Sequence, residues 1–366
     1  MIWRRLLNYT KYKLRVRNAI IGLRLTVTWK CNSKCATCSI WQKEGEGAEL
    51  SIGEIDSATR SPYFRRTEYI TISGGEPTMR DDLAEVVSVL HRNIPTATFG
   101  ITLNGLVPGR AERFFRDVFA ANPGIRFHLA GVSLNGPRDI HDATRGVPGS
   151  WDKAVETYDR IKDMVHTEFS FTFCKSNREY FKWTQDFARK VGTNAYICWT
   201  VMNDRFCVSD QDLVFYKPEI ASEIDEFLKN KYCIGDSFSS RLASLVKLSP
   251  AIALGYLYDS IIARRVMPCF AASQIVHIDP YGNVFPCNFK LSADRNLGNI
   301  RALPFDHIWR NVARRILNEI ASGDCMYPNG LCGDSDIFPS VCNSPPVVLS
   351  WYLKKALAGK NLVGNG

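Results

Sequence analysis

The run Leu23-Arg-Leu-Thr-Val-Thr-Trp29, followed directly by Lys30-Cys31-Asn-Ser-Lys-Cys35-Ala-Thr-Cys38, decides the fold of this chain. Its first half is apolar and β-branched, the pattern of a buried strand. The cysteines therefore fall on the loop at the strand's carboxyl end, spaced C-x3-C-x2-C. A closed metal site normally recruits four ligands, whereas an iron–sulfur cluster held by three thiolates keeps one iron open for substrate or cofactor. Zinc is the alternative, because C-x2-C is a common zinc half-site. It would require a fourth ligand close by, and no histidine precedes His91.

Outward from that strand the chain alternates. Strand-like runs recur near 69–73, 98–103, 126–134, 168–174 and 194–201, with helical patterns near 81–93, 110–121, 151–166, 178–190 and 219–231. Asp81-Asp82 suit the amino end of the first helix, and Ser150 or Asp152 could cap the third. Six such units predict an α/β fold of parallel strands with right-handed crossovers, too few for a full eight-stranded barrel. The cysteine loop then lies where α/β barrels place chemistry, at the strands' carboxyl ends. The next strand runs into Ile70-Thr-Ile-Ser-Gly-Gly-Glu-Pro77, whose glycines let backbone approach a ligand and whose Glu76 offers a carboxylate to a cation. Further strands end in Leu103-Asn104-Gly105 and in Val132-Ser133-Leu134-Asn135-Gly136-Pro137, the latter followed by His141-Asp142 and Arg145-Gly146.

The cysteine triplet and Gly-Gly-Glu-Pro together resemble the radical S-adenosylmethionine (SAM) superfamily over roughly residues 20–235. The resemblance implies a partial (β/α)6 TIM-like barrel. It also implies a [4Fe-4S] cluster on Cys31, Cys35 and Cys38, and SAM bound through Gly74, Gly75, Glu76 and Pro77 at its amino group. Ser133 and Asn135 are similar to residues that contact the ribose and methionyl carboxylate, Arg145 to a carboxylate contact, and Asn104 to the family's Thr-Asn-Gly. The chain departs from that pattern in two places. Thr37 stands where an aromatic is usual, with Trp41 able to supply apolar surface, and Asn135 stands where most relatives have Asp. The implied activity is reductive cleavage of SAM to a 5′-deoxyadenosyl radical that abstracts hydrogen from an unactivated C–H bond. A one-electron donor such as flavodoxin or ferredoxin would feed it.

Cys269, twelve residues, Gly282, four residues and Cys287 are similar to the opening of SPASM and Twitch auxiliary domains, and Cys325, Cys332 and Cys342 follow. Ile278 to Cys287 reads as a hairpin turning at Asp279–Asn283. Five cysteines fall short of two auxiliary clusters, which favours one auxiliary [4Fe-4S] cluster, Twitch-like, acting in electron transfer or substrate ligation. Which of the last three is spare stays open, and a structural zinc ribbon is the alternative. The substrate is a peptide, a sugar or alcohol, or a lipid intermediate.

The chain's 366 residues suit two or three domains, divided here as 1–22, 23–235, 236–268, 269–345 and 346–366. Residues 1–22 form a basic amphipathic segment, 23–235 the core, 236–268 a helical connector, 269–345 the auxiliary domain and 346–366 a tail. Ten of the 46 Lys and Arg lie in residues 1–43, which hold no Asp or Glu, so the +9 charge resides at the front. Residues 1–17 could lie on an anionic membrane or touch RNA phosphates, or they could be a solvated cap. No specific nucleic acid is expected. No uninterrupted apolar stretch long enough to span a membrane occurs, nor the apolar core of a signal peptide, so no cleavage is expected. Eight of the twelve cysteines fall into two groups, 31–38 and 269–342, which points to the reducing cytosol, with the inner membrane face as a peripheral site. The rival class is a non-catalytic iron–sulfur or zinc module on membrane or RNA.

Overall fold

In the computed structural model, which describes residues 19–42, 47–174, 176–199, 269–287 and 293–312 and positions 10, 291, 316–318, 346 and 350, alternation along the strands sets the architecture. Six strands lie side by side in chain order, each parallel to the next: β1 (Gly22–Thr26), β2 (Tyr69–Ser73), β3 (Thr98–Leu103), β4 (Phe127–Ser133), β5 (Thr167–Phe173) and β6 (Ala195–Trp199). Between them run α1 (Ile52–Thr59), α2 (Leu83–Asn93), α3 (Pro108–Ala121), α4 (Arg138–Arg145), α5 (Ser150–Ile161) and α6 (Phe181–Lys190). The strand order never reverses, so right-handed crossovers bring every helix to one face. That is the arrangement of an open, partial TIM-like barrel.

Register explains which residues line which face. Leu25, Ile72, Ile101 and Ala130 stand abreast on neighbouring strands, as do Leu23, Ile70 and Phe99, and all are at most 2 % exposed. Farther along, Phe171 and Phe173 of β5 rest on Phe181 of α6 with ring centroids 5.3 and 5.1 Å apart. The opposite face is polar: Arg24 stands beside Thr71, Thr102 beside Gly131, and Ser133 beside Ser170. Binary alternation thus separates an apolar, helix-covered side from a polar one.

The auxiliary region enters the same sheet. β7 (Ile275–Ile278) pairs parallel with the outer edge of β1, from Gly22↔Ile275 to Leu25↔Ile278, and Thr26 Oγ1 meets His277 Nε2 at 2.9 Å. β8 (Asn283–Phe285) and β9 (Gly298–Asn299) follow antiparallel, making nine strands, and α7 (Phe305–Arg310) comes after them. The hairpin turns as the sequence predicts, with Asp279 Oδ1 accepting from the N–H groups of Tyr281 and Asn283. β7, β8 and β9 belong to the same compact unit as β1–β6, because β1 offers them an edge and Ile275-Val-His-Ile is a fully buried strand.

Helix starts hold two surprises. Asp82 precedes α2 without capping it: Arg80 takes its carboxylate (Nε–Oδ1 2.6 Å) and also donates to the carbonyls of Val27 and Leu50. Neither Ser150 nor Asp152 caps α5. Asp142 does so from the preceding helix, accepting from Gly149 N (2.6 Å), Trp151 N (2.8 Å) and the Ser150 hydroxyl (2.8 Å). No helix among the described residues is long and apolar enough to cross a membrane. The expected helix at 219–231, the connector 236–268, residues 1–17 and the tail 346–366 lie outside the described residues, apart from single positions.

Candidate active site

The cysteine loop leaves β1 and is gripped on two sides. On one, Gly75 N and Glu76 N donate to the carbonyls of Thr28 and Lys30, each at 2.8 Å. A Cβ on Gly75 would lie 2.3 Å from the Lys30 oxygen. That glycine therefore permits a close backbone–backbone crossing. On the other side, Lys34 N and Ala36 N donate to the carbonyls of Arg145 (3.0 Å) and Thr144 (2.9 Å), satisfying the last turn of α4. Gly146, with φ +64°, closes that helix left-handed, and a Cβ there would meet the Lys34 oxygen at 2.4 Å.

Cys31, Cys35 and Cys38 are half-buried and form no disulfide. Arg145 Nη1 donates toward Cys35 Sγ at 3.4 Å, Ser33 Oγ stands 3.0 Å from the same sulfur, and Asn104 Nδ2 lies 3.9 Å from Cys31 Sγ. Burial pushes the Cys31 thiol up to about 12; a Ser33 backbone hydrogen bond opposes this, and Cys35, Glu76 and Cys38 add to it. A coordinated metal inverts that preference, because a ligating thiol is deprotonated outright. No three His, Cys, Asp or Glu side chains among the described residues converge on a single ion. A cluster asks for something else, one iron per thiolate around a shared space. Half-buried thiols on one doubly anchored loop, with N–H donors aimed at two of the sulfurs, fit it.

Glu76 is 2 % exposed. Its carboxylate accepts from Asn104 N (2.6 Å), the Thr78 hydroxyl (2.6 Å) and Thr78 N (3.2 Å), and so caps the short turn that begins at buried Pro77. Among the described residues no Lys, Arg or His comes within ion-pair distance of it. Burial pushes its carboxyl above the ordinary value, with hydrogen bonds from Thr78 and Asn104 pulling against that. A carboxylate offers about four lone-pair sites, so one remains for a cation.

The other sequence candidates divide. Ser133 sits buried at the carboxyl end of β4. Asn104 forms a turn, its Oδ1 accepting from Leu106 N, while its Nδ2 donates to Asn32 Oδ1 at 2.7 Å. Asn135 is fully buried; its side chain donates to the Thr172 carbonyl and accepts from Arg145 Nε. Gly74 lines the first crossing. Cys269 and Cys287 are buried free thiols, whereas Cys325, Cys332 and Cys342 lie outside the described residues. Sequence reasoning passed over Ser33, Thr78 and Arg80. Only Arg80 carried a signal, a charge directly after an apolar turn.

Comparison with known proteins now has geometry to meet. The family model described as Radical SAM superfamily matches residues 25–188, and that of an iron-sulfur cluster-binding domain, SPASM, matches residues 269–332. A "Probable GTP 3',8-cyclase" of Methanococcus maripaludis is 36% identical over 227 residues, 60% of this chain and 72% of that protein. The chain belongs to the radical SAM superfamily. As such it is an enzyme with a [4Fe-4S] cluster and SAM as cofactors and a SPASM domain implying auxiliary iron–sulfur clusters. The GTP 3',8-cyclase of Yersinia pestis matches more narrowly, at 28% over 152 residues, so that this chain spans 44% of it. Mycofactocin maturase MftC of Mycobacterium tuberculosis matches at 25% over 341 residues, 87% of this radical SAM chain and 77% of MftC. Streptococcus suis SuiB bound to precursor peptide SuiA shares the fold, with TM-score 0.58, 14% identity and coverage of 86% of this chain and 70% of SuiB. The SPASM match takes in Cys269, Cys287, Cys325 and Cys332 and ends before Cys342.

Proposed function

We propose that this radical SAM enzyme cleaves SAM reductively and abstracts hydrogen from an unactivated C–H bond of a peptide. The observation that carries the SAM part is Glu76, a buried carboxylate held by three donors, with no Lys, Arg or His in ion-pair distance among the described residues, Arg145 acting on it only through space, and one acceptor site left. The ammonium of SAM fits that vacancy in charge and hydrogen bonding. Across the loop, Arg145 and Ser133 are the groups that would meet its carboxylate. When bound, the cluster on Cys31, Cys35 and Cys38 supplies the electron that splits SAM into methionine and a 5′-deoxyadenosyl radical. The protein's own part is to fix the loop at both ends and to present a polar barrel face to substrate.

The peptide class is supported by the maturase name of MftC and by the precursor peptide bound to SuiB. One auxiliary [4Fe-4S] cluster on four of Cys269, Cys287, Cys325, Cys332 and Cys342 would serve electron transfer or substrate ligation, with a flavodoxin or ferredoxin as donor. Anaerobic protein given SAM and dithionite should release 5′-deoxyadenosine, and the Cys31, Cys35 and Cys38 triple alanine variant should release none. Deuterium should pass into 5′-deoxyadenosine from a fully deuterated peptide pool. Transfer only from deuterated sugars or lipids would replace the peptide reading.

A further inference from the structure

One arginine at the loop is held with unusual rigor. Arg145 Nη1 points at the Cys35 sulfur (3.4 Å) while its Nε donates to Asn135 Oδ1 (3.1 Å). Asn135 is in turn fixed twice more. Its Nδ2 donates to the Thr172 carbonyl (2.9 Å), and its backbone N–H donates to His141 Nδ1 (2.9 Å). His141 is fully buried, and burial pushes its imidazole down to about 3. It is therefore neutral, accepts at Nδ1 and carries its proton on Nε2. The Thr172 carbonyl also takes a bond from buried Asn177 (2.8 Å).

The side-chain N–H donors at Cys35 and Cys31 are not alike. Cys35 receives a charged guanidinium, Cys31 a neutral amide at 3.9 Å. Charge and hydrogen bonds at ligating sulfurs are among the main controls on cluster potential. The identity of residue 135 matters here. An asparagine accepts from Nε without cancelling the guanidinium charge, whereas an aspartate at that spot would neutralise it.

We infer that Asn135 and His141 are positioning residues that hold Arg145 on the Cys35 sulfur and thereby make the three-cysteine cluster easier to reduce. The inference rests on the proposal that this triplet carries a cluster. One electron enters from the reductant, and the fixed positive charge stabilises the reduced state that gains it. A unit charge a few ångströms from the cluster favours the added electron through space. Solvent at half-buried Arg145 weakens that.

The test is the midpoint potential of the SAM-responsive signal in reconstituted full-length protein, followed by electron paramagnetic resonance without substrate. Arg145→Gln should lower the reduced-to-oxidised ratio at fixed potential about tenfold, roughly 59 mV for one electron. Asn135→Ala should move it the same way, and the double variant should go no lower than Arg145→Gln alone. Asn135→Asp, which keeps the aim but adds a negative charge, should also lower it. Asn177→Ala breaks the neighbouring bond to the same carbonyl and should leave the potential unchanged. A wild-type potential in Asn135→Ala and Asn135→Asp, or additive losses in the double variant, overturns the inference. A wild-type protein that shows no SAM-responsive signal overturns the cluster reading beneath it.

Discussion

The two grips on the cysteine loop use the same chain in opposite senses. At 28–30, ahead of the first cysteine, the loop accepts hydrogen bonds from Gly75 and Glu76; between Cys31 and Cys38 it donates them to the last carbonyls of α4. The first grip fixes where the loop leaves β1, the second the shape it takes among the thiols. Each depends on a glycine whose Cβ would strike a backbone oxygen. The lesson is that a binding loop can owe its small residues to its own scaffolding.

Substituting Gly75 should break the comparison hardest. Gly75→Ala drives a methyl into the Lys30 carbonyl at 2.3 Å, and the loop must move as a whole. A displacement near 1 Å costs on the order of 100-fold in a positioned site, so SAM cleavage and loop-bound iron should both collapse. Normal iron with normal cleavage would mean that the first grip is dispensable.

Glu76→Gln keeps an acceptor for Thr78 but removes the charge. SAM affinity, measured by calorimetry, should fall about 10- to 100-fold, in line with about 1.5–3 kcal/mol for a charged hydrogen bond, while iron stays. Because burial raises the carboxyl's pKa, wild-type affinity should weaken as pH falls through a value above the ordinary carboxylate range. A pH-independent affinity would remove Glu76 from ammonium binding.

Gly146→Ala should do less. It adds about 1–2 kcal/mol of left-handed strain and a contact with Lys34 that the helix end can partly relieve. Reduced cluster occupancy, with SAM affinity per cluster preserved, would mark the second grip as shaping the thiols only.

Asp142→Ala tests what braces that second grip from behind. Losing a cap costs about 0.5–2 kcal/mol, to be read as a lower unfolding midpoint in denaturant. Burial works against Asp142, yet bonds from Trp151, Ser150 and Gly149 hold its carboxyl below the usual value. Its stabilisation is therefore full above the unfolded carboxylate pKa and lost as pH drops through the lower folded one. Wild-type acid stability in the variant would contradict this.

Arg301→Ala, a residue of neither grip, should have the smallest effect. The Arg301 side chain, with Ser51 bonds assisting against burial, holds Glu54 down at about 2. Its loss should let that carboxyl titrate nearer its ordinary value by NMR and cost at most about 1 kcal/mol, as for exposed pairs. No change in the titration would deny the pair.

Much of this was legible in the chain. The triplet, Gly-Gly-Glu-Pro and the alternating strands are local in sequence, and local spacing constrains local geometry. The hairpin at Asp279–Asn283 was likewise written in its turn residues. What escaped depends on partners distant in sequence. Gly75's neighbour is a carbonyl 45 positions earlier, Asp142 caps a helix other than its own, and the Asn135 amide is tied to a carbonyl 37 positions later. A four-residue apolar run such as Ile275–Ile278 announces a strand but not which edge it will join.

The pairing of β7 with β1 bears on how the protein is made. The strand that carries the cysteine loop waits for a partner some 250 positions downstream, as the Thr26–His277 bond across 251 positions records. At about 5–20 residues per second on the ribosome, that wait is some tens of seconds. Throughout it, one side of β1 is a bare ladder, the kind of edge that recruits foreign strands. A nascent chain stalled before Ile275 should be captured by holdase chaperones, and one released after Asn299 should not. Iron delivered to the thiols before that moment would meet a loop whose parent strand is secured along a single flank.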